Sequence, residues 1–202
     1  MTDPILHRFD GHIAGVGTTS GTRLVVGCWD HSPLGTFADV MLERHDGHRI
    51  LLAPDEQVAT FVAATYSFDE VRVGPVVVEP GVTWRVRTDD LDLSFDAGRR
   101  HPVSWALRAV PRPLRDRERW ARAVDPIASR LMQGVRTHGS AGNGRTEWYA
   151  ARDVRRLLRV EARWEGADLG GLAPVRPAVR FGFGSSPATP TLTRVRSFVR
   201  VP

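Results

Sequence analysis

Strict alternation of apolar and polar residues dominates this chain, and it is clearest in two neighbouring segments, VTWRVRT (82–88) and LDLSFD (91–96). Successive side chains of a β-strand point to opposite faces, so a period of two indicates strands with one face in a core and the other in water. Shorter apolar runs between turn residues predict more strands of the same kind. Those strands are expected at 12–17, 22–29, 70–79, 103–110, 145–154, 158–164, 178–184 and 192–201, with a hairpin over 37–53.

The hairpin over 37–53 contains Asp46-Gly47 between two apolar runs. This dipeptide favours a two-residue turn, because both of its central positions need a positive φ. In the register that such a turn sets, Leu42 faces Leu51 and both faces of the hairpin are apolar. The hairpin is therefore expected inside a sheet that is covered on both sides.

The same turn would make His45 and His48 directly opposed neighbours, on the face that also carries Glu43. Two imidazoles and a carboxylate form a donor set that can hold Zn²⁺ with one open position. A solvated hairpin tip commonly carries polar residues of the same types. We therefore predict no metal site and keep these three residues as the positions where one would lie.

Two segments change to a helical period. PDEQVATFVAATY (54–66) predicts a short amphipathic helix, and PLRDRERWARAVDPIASRLM (113–132) predicts a longer one with a break or kink at Asp125-Pro126. Neither a fixed repeat nor a long linker divides the chain, so residues 1–202 are predicted to form a single domain. The predicted fold is mainly β (α+β), a single antiparallel β-barrel or sandwich of about ten to twelve strands with these two helices, lipocalin-like at the level of architecture.

Every one of the 28 basic residues counted as Lys or Arg is Arg. The chain therefore lacks the lysine of a P-loop, and it cannot form a Schiff base with pyridoxal phosphate or a carbonyl substrate, because those reactions need a primary amine on a side chain. A Gly-rich segment at 15–21 is followed by a strand and lacks the spacing of a dinucleotide fingerprint. We predict no cofactor.

The charges are unevenly distributed along the chain. Residues 1–98 hold 7 Arg and 15 acidic residues, whereas residues 99–163 hold 16 Arg and 6 acidic residues. Within one folded unit, such an asymmetry is typical of internal ion pairs, and the basic strands lack the interleaved aromatic residues of single-strand binders. The sequence therefore disfavours a nucleic acid as a partner.

The start of the chain has no basic segment followed by an apolar one, and no window approaches the roughly 20 apolar residues that a membrane helix needs. Cys28 is the single cysteine, so a disulfide framework is excluded. These features predict a soluble, cytoplasmic protein without a membrane partner. They do not predict an oligomeric state.

The stretch GCWDHSPLGTF (27–37) brings Cys28, Asp30 and His31 within four positions. In an extended strand Cys28 and His31 would be about 10 Å apart on opposite faces, so a catalytic pair would require the chain to fold back. Turn-forming residues follow at 32–35, and we interpret the stretch as a strand that runs into a turn. Its first three residues are similar to the G-x-W of lipocalins, but the flanking residues do not match and no family assignment rests on them.

The flexible segment 138–144 precedes a strand that is rich in polar and aromatic groups. Alternation places Arg145, Glu147 and Tyr149 on one side of that strand and Trp148 on the other. If the first set pointed inward, Arg145 and Tyr149 could hold an anion while Glu147 held the arginine. We expect the outward arrangement, with Trp148 in the core.

These observations predict a binding protein that holds a small, mostly apolar ligand in a β-barrel cup, with any acidic group of the ligand met by Arg. The alternative is a small-molecule enzyme of secondary metabolism that uses acid and base residues in the same pocket, and the sequence leaves this choice open. Two acid or base candidates within reach of each other in one pocket would favour the enzyme. The predicted ligand-binding residues are Trp84, Trp105, Arg145, Trp148 and Tyr149. The candidate catalytic residues are Asp30, His31, His101, Glu147 and Asp153.

Overall fold

A sheet of 13 strands forms the frame of the computed structural model, which describes residues 4–182 and 186–202. The strands are β1 (Ile5–Thr18), β2 (Arg23–His31), β3 (Phe37–Glu43), β4 (Arg49–Ala53), β5 (Glu70–Val73), β6 (Val77–Glu79), β7 (Thr83–Arg87), β8 (Leu91–Arg100), β9 (His138–Ser140), β10 (Thr146–Trp164), β11 (Ala167–Asp168), β12 (Leu172–Ala173) and β13 (Thr191–Val201). Ten of them follow the order β5-β4-β3-β2-β1-β13-β10-β8-β7-β6. The predicted mainly β class is confirmed.

The sheet curls into an open half-barrel. The end strands β5 and β6 do not pair with each other among the described residues, so the expected closure into a barrel is not observed. The number of strands is 13 instead of ten to twelve. All strand pairs are antiparallel except β4 and β5, which are parallel because a helix connects them.

The helices are α1 (Glu56–Ala63), α2 (Val103–Ala109), α3 (Arg112–Arg115) and α4 (Glu118–Leu131), with a 3₁₀ turn at Gly142–Gly144. The predicted short helix over 54–66 corresponds to α1, whose first turn is capped by a hydrogen bond of 2.8 Å from the Val58 amide to Asp55 Oδ1. The predicted longer helix is divided between α3 and α4. Because the longest of these helices, α4, has 14 residues and is rich in Arg, no helix of the described residues could span a bilayer.

Residues 103–110 form α2, and the prediction of a strand there was wrong. Short apolar runs do not distinguish a helix from a strand by their period alone. Ser104 joins this helix to β10, since its hydroxyl donates to the Val154 carbonyl (3.0 Å) and accepts from the Val154 amide (2.9 Å). Ser104 of α2 thus provides hydrogen-bond partners for the Val154 amide and carbonyl, which a neighbouring strand would provide in a continuous sheet.

The other differences from the predicted elements have local causes. Of the break or kink expected at Asp125-Pro126, the break does not occur, because α4 continues through Pro126 and the Asp125 carboxylate accepts from the Thr137 amide (2.6 Å) instead of capping a helix. A kink at this point stays a prediction. The strand expected over 70–79 is divided into β5 and β6. No strand forms over the described part of 178–184, whose last two residues lie outside the described residues.

The hairpin of β3 and β4 has a register one residue different from the predicted one. Met41 faces Leu51 and Glu43 faces Arg49, because the turn is one residue longer than a two-residue turn. The Arg44 amide donates to the His48 carbonyl (2.9 Å), and Gly47 supplies a positive φ of 90° within the loop. The prediction that both faces of this hairpin are covered is confirmed, since Leu51 and Leu52 are both buried.

The concave face of the half-barrel is filled by side chains. One apolar cluster contains side chains of β2, β3 and β4 from one part of the sheet and of β7 and β8 from the other. The curled sheet therefore brings these side chains into contact across its concave face, although its end strands are not paired. Phe95 is fully buried there, and Trp84 stacks on it with ring centroids 6.0 Å apart. The hollows described below lie outside this packed face, beside the helices or the segment 186–191.

Acidic residues of the first half pair with arginines of the second half, as the charge distribution predicted. Asp10 accepts from Arg196 at 2.7 Å, and Glu43 accepts from Arg180 at 2.9 Å. These pairs connect segments that are distant in sequence, although many other ion pairs of the described residues join partners within one half, such as Arg49 with Asp69.

Candidate functional site

A cavity of about 50 Å³ lies beneath α1 and has two carboxyl groups in its wall. We call it the carboxyl cavity. Its carboxyl groups belong to Asp39 and Glu147, and most of the remaining wall is apolar or aromatic. The apolar side chains include Phe9, Val25, Trp29, Phe37, Met41 and Phe61. Two carboxyl groups in such a wall are costly to ionise, because burial penalises the charged form.

Glu147 is held by hydroxyl groups. Tyr66 Oη donates to the Glu147 carboxylate at 2.8 and 2.7 Å, and Ser197 Oγ donates at 2.9 Å. The Tyr149 hydroxyl joins the cluster, 3.1 Å from that of Tyr66. Burial raises the pKa of Glu147, although the hydrogen bonds from Tyr66, Tyr149 and Ser197 oppose this effect. Burial also raises the pKa of Tyr66 well above its usual range.

Asp39 has a simpler environment. Its one hydrogen bond within the described residues comes from Trp29 Nε1, at 3.1 Å from Oδ1. Burial raises the pKa of Asp39 to about 7, and the indole hydrogen bond lowers it only in part. Gly27 leaves the space for this pair, because a Cβ at that position would lie 2.4 Å from Asp39 Oδ1 and 2.7 Å from Trp29 Nε1.

A second, larger cavity of about 260 Å³ lies between α2, α4 and β10. We call it the helix cavity. Its wall is almost entirely apolar and includes Leu107, Trp120, Val124, Ile127 and Val154. Tyr149 lines both this cavity and the carboxyl cavity, so the two are neighbours along β10. A mostly apolar hollow with few polar groups is the usual form of a small-molecule site.

No family model and no curated protein matches the chain. Among solved structures, the chain is similar to the crystal structure of a Nitrosomonas europaea protein provisionally named AttH, with 11% sequence identity and a TM-score of 0.29. The alignment covers 96% of this chain and 50% of the other, so the chain spans about half the length of that protein. A similarity at this level carries no argument about the fold or the function.

The structure covers both faces of β10 around Glu147. Tyr149 lies in the carboxyl cavity, whereas Trp148 stacks on Phe198 with ring centroids 5.1 Å apart, beside Ala121 of α4. Trp148 is therefore in a core, as expected, but the expectation that Glu147 and Tyr149 face outward was wrong. A helix lies on each face at this point, which alternation within one strand cannot reveal.

Arg145 does not reach the Glu147 carboxylate. Its guanidinium lies 4.8 Å from the centre of the Phe61 ring and donates to the Phe61 carbonyl at 2.9 Å and to the Thr65 hydroxyl. It thus binds the C-terminal end of α1, where exposed carbonyls favour a cation.

The two other predicted ligand-binding residues lie outside both cavities. Trp84 is in the packed interior of the half-barrel, and Trp105 is an exposed residue of α2 with 66% of its surface accessible. Neither contributes to the walls of the carboxyl or helix cavity. Their role in binding stays a prediction.

Glu147 is the one candidate catalytic residue that lines the carboxyl cavity. The other four lie elsewhere. Asp30 faces Arg194 at 3.9 Å, Asp153 pairs with Arg100 at 3.1 Å, and His101 Nδ1 accepts from the Val103 amide at 3.3 Å. His31 is exposed at the end of β2.

The sequence analysis missed Asp39 and Tyr66, which the fold brings to Glu147. A signal for Asp39 was present, because this carboxylate interrupts an apolar strand that was expected to be covered on both faces. Charged residues in such strands are rarely free of a functional or pairing role. Tyr66 follows α1 without any comparable pattern.

The three residues considered for zinc do not come together. Glu43 is fully buried and binds Arg23 at 2.9 Å, while His48 Nε2 lies 3.2 Å from Glu70. The longer hairpin turn is the cause, since it removes the direct opposition of His45 and His48. Among residues 4–182 and 186–202, no cluster of three His, Cys, Asp or Glu side chains has the geometry of a metal site.

Cys28 lies near the end of β2, and the turn at 32–35 follows it, as interpreted from the sequence. Burial raises the pKa of its thiol to about 11, with Asp30 and Asp39 adding to the effect. The thiolate is the reactive form, so a nucleophilic role at neutral pH is disfavoured.

Proposed function

We propose that the protein binds a small, mostly apolar molecule in the helix cavity. The observation that carries this proposal is the size and composition of the cavity, about 260 Å³ with an almost wholly apolar wall. The interior of the half-barrel is filled by its own side chains, so the ligand would lie between the helices and the sheet instead of inside the cup. Water in such a hollow finds few partners, and an apolar ligand that displaces it gains about 25 cal/mol per Å² of buried apolar surface.

Ala128→Phe tests this proposal. Ala128 is a half-buried residue of α4 that lines the helix cavity, and a phenyl ring there would occupy the space of the ligand. With n-octanol as the probe, isothermal titration calorimetry is expected to show an affinity about tenfold or more below that of the wild type, because overpacking a filled site costs about 1–3 kcal/mol.

The matched control is Ala123→Phe. Ala123 lies on the same helix, is exposed and does not line the cavity, so this variant should bind n-octanol like the wild type. If the wild type does not bind n-octanol in titrations at two temperatures, or if both variants bind it as well as the wild type does, the helix cavity is not the site.

A small-molecule enzyme is the second candidate, and the carboxyl cavity supports it. A pKa of about 7 lets Asp39 both accept and donate a proton near neutral pH, and the Glu147 cluster lies in the same wall. In the sequence analysis, two of the five candidate catalytic residues in one pocket would have favoured an enzyme. The carboxyl cavity contains only one of the five, Glu147. A turnover that is lost in Asp39→Asn but kept in Ala128→Phe would assign the chemistry to the carboxyl cavity. A turnover unchanged in Asp39→Asn would exclude it.

A further inference from the structure

A third hollow, of about 280 Å³, opens beside the helix cavity and is lined by three arginines. We call it the arginine cleft. Arg130 comes from the end of α4, Arg156 from β10 and Arg176 from the segment after β12. The polar wall is completed by His101, Gln133, Thr189 and Thr191, and no carboxylate of the described residues takes part in it.

The three guanidinium groups have no ionic partner in the part of the chain that the structure describes. Arg176 Nη2 donates to Gln133 Oε1 at 2.7 Å, and Arg156 Nη2 lies 3.5 Å from His101 Nε2. Arg72 shows the contrasting arrangement, with Glu70, Asp90 and Glu165 all within 2.8 Å of its guanidinium. In a chain where arginines commonly meet acidic residues, three uncompensated ones around one hollow create a site for an anion.

A residue with a buried hydroxyl group also lies in the wall of the cleft. Thr191 is only 2% exposed and lines the cleft, yet its Oγ1 has no hydrogen-bond partner among the described residues. An unsatisfied buried polar atom is costly and commonly marks the place of a missing partner. Thr191 also lines a smaller hollow of about 40 Å³ beside Ser186, and its Oγ1 has almost no accessible surface, so the arginines and not this hydroxyl carry the assignment of the anion site.

The arginine cleft and the helix cavity have two wall residues in common, Met132 and Pro187. An apolar hollow of about 260 Å³ thus adjoins a cationic one of about 280 Å³. A molecule with an apolar chain and an anionic head group would match both surfaces at once.

We propose that the ligand is an amphiphile whose apolar chain occupies the helix cavity and whose oxyanion head group binds in the arginine cleft. This inference rests on the proposed function, because it assumes that the helix cavity receives the chain. A phosphate group matches the cleft better than a carboxylate does, since its additional oxygens can meet three guanidinium groups.

Three probes with the same octyl chain test the head group. By isothermal titration calorimetry, octyl phosphate is expected to bind about tenfold to a hundredfold more tightly than n-octanol, because hydrogen bonds to charged groups are stronger than neutral ones. Octanoate is expected between the two. If octanoate binds as tightly as octyl phosphate, the cleft does not distinguish a carboxylate from a phosphate, and the proposal of an oxyanion site is retained.

The double variant Arg130→Gln/Arg176→Gln tests whether the arginine cleft, and not another part of the protein, binds the head group. Both side chains are exposed, so the fold is expected to tolerate the change. The advantage of octyl phosphate over n-octanol should fall to about twofold or less, while the affinity for n-octanol stays at the wild-type value. Arg85→Gln, on the exposed side of β7, is the control for general electrostatic attraction and should preserve the advantage.

The failures of the two proposals are distinguishable. If n-octanol binds and octyl phosphate binds no more tightly, the anion site is overturned while the apolar site remains. The anion site is also overturned if the double variant retains the whole advantage, because two of the three arginines of the cleft are then absent. If none of the octyl probes binds, both proposals fail together. Binding of inorganic phosphate without n-octanol would retain the cleft and overturn the apolar site.

Discussion

Asp39→Asn is expected to raise the free energy of unfolding by about 4 kcal/mol near pH 8 and to change it little near pH 4. The folded-state pKa of Asp39 is raised to about 7 from an ordinary value of 3.8, mainly by burial. Between these two values the folded protein holds a proton that the unfolded chain has lost, so the stability of the wild type falls as the pH rises. Each pKa unit corresponds to about 1.4 kcal/mol, and the loss is complete above the folded pKa.

Asparagine stays neutral, so the variant escapes this loss. Its side-chain oxygen can still accept the hydrogen bond that Trp29 Nε1 donates to Asp39 Oδ1 at 3.1 Å. Urea unfolding of both proteins between about pH 4 and 8 measures the difference. Asp92→Asn, at an exposed position of β8, is the control and should follow the wild type at every pH. A difference that does not grow with pH would mean that Asp39 is ionised in the folded protein throughout this range.

Such a result would bear on function as well as on stability. At neutral pH this carboxyl group lowers the free energy of unfolding by several kcal/mol. Folding does not require it, because an amide could accept the same hydrogen bond. Positions of this kind are where binding and proton transfer are commonly found. A more stable Asp39→Asn variant would therefore strengthen the case that the carboxyl cavity has a chemical role.

Glu43→Ala is expected to destabilise the protein by about 3–5 kcal/mol, because it leaves the Arg23 guanidinium buried without its partner. The Arg23 and Glu43 side chains are 4% and 0% exposed and lie 2.9 Å apart. Glu43 also accepts from the Arg180 amide at 2.7 Å and from Arg180 Nε at 2.9 Å, so its removal releases the segment after β12 as well. Equilibrium unfolding in urea measures the loss.

The double variant Arg23→Met/Glu43→Leu distinguishes the cost of an unpaired charge from the cost of a lost contact. Replacing both partners by apolar residues removes the buried charges together, so the double variant should be more stable than Glu43→Ala. If the two variants are equally unstable, the main contribution of Glu43 is its contact with Arg180. If Glu43→Ala unfolds like the wild type, the buried pair contributes nothing.

The elements that the sequence predicted best are those whose pattern is local. β7 and β8 alternate strictly and form the expected neighbouring pair, with Trp84 directly facing Phe95. α1 has both a helical period and a capping aspartate at its start. The pairing of acidic and basic halves was visible because charge is a property of composition, and Asp10 with Arg196 shows it.

The candidate site was predicted only in part, because its residues meet through contacts between distant segments. Glu147 and Tyr149 were identified from one strand, but their hydrogen-bond partner Tyr66 lies 81 positions from Glu147, and Asp39 of the same cavity wall comes from β3. The arginine cleft is a similar case. The sequence analysis attributed the uneven charges to internal ion pairs, whereas the fold brings Arg156 and Arg176 to one hollow without carboxylates.

The sequence by itself determined that this chain forms an antiparallel sheet, which side chains share a face of each strand, and which lysine-dependent reactions are excluded. These properties depend on residue type and on spacings of a few positions, which the backbone geometry of a strand converts directly into direction. Only the tertiary structure decided that the sheet stays open, that its concave face fills with side chains, and that helices cover the other face and enclose the cavities. Those outcomes depend on how much volume distant side chains occupy when they meet, and alternation along one strand carries no information about that volume.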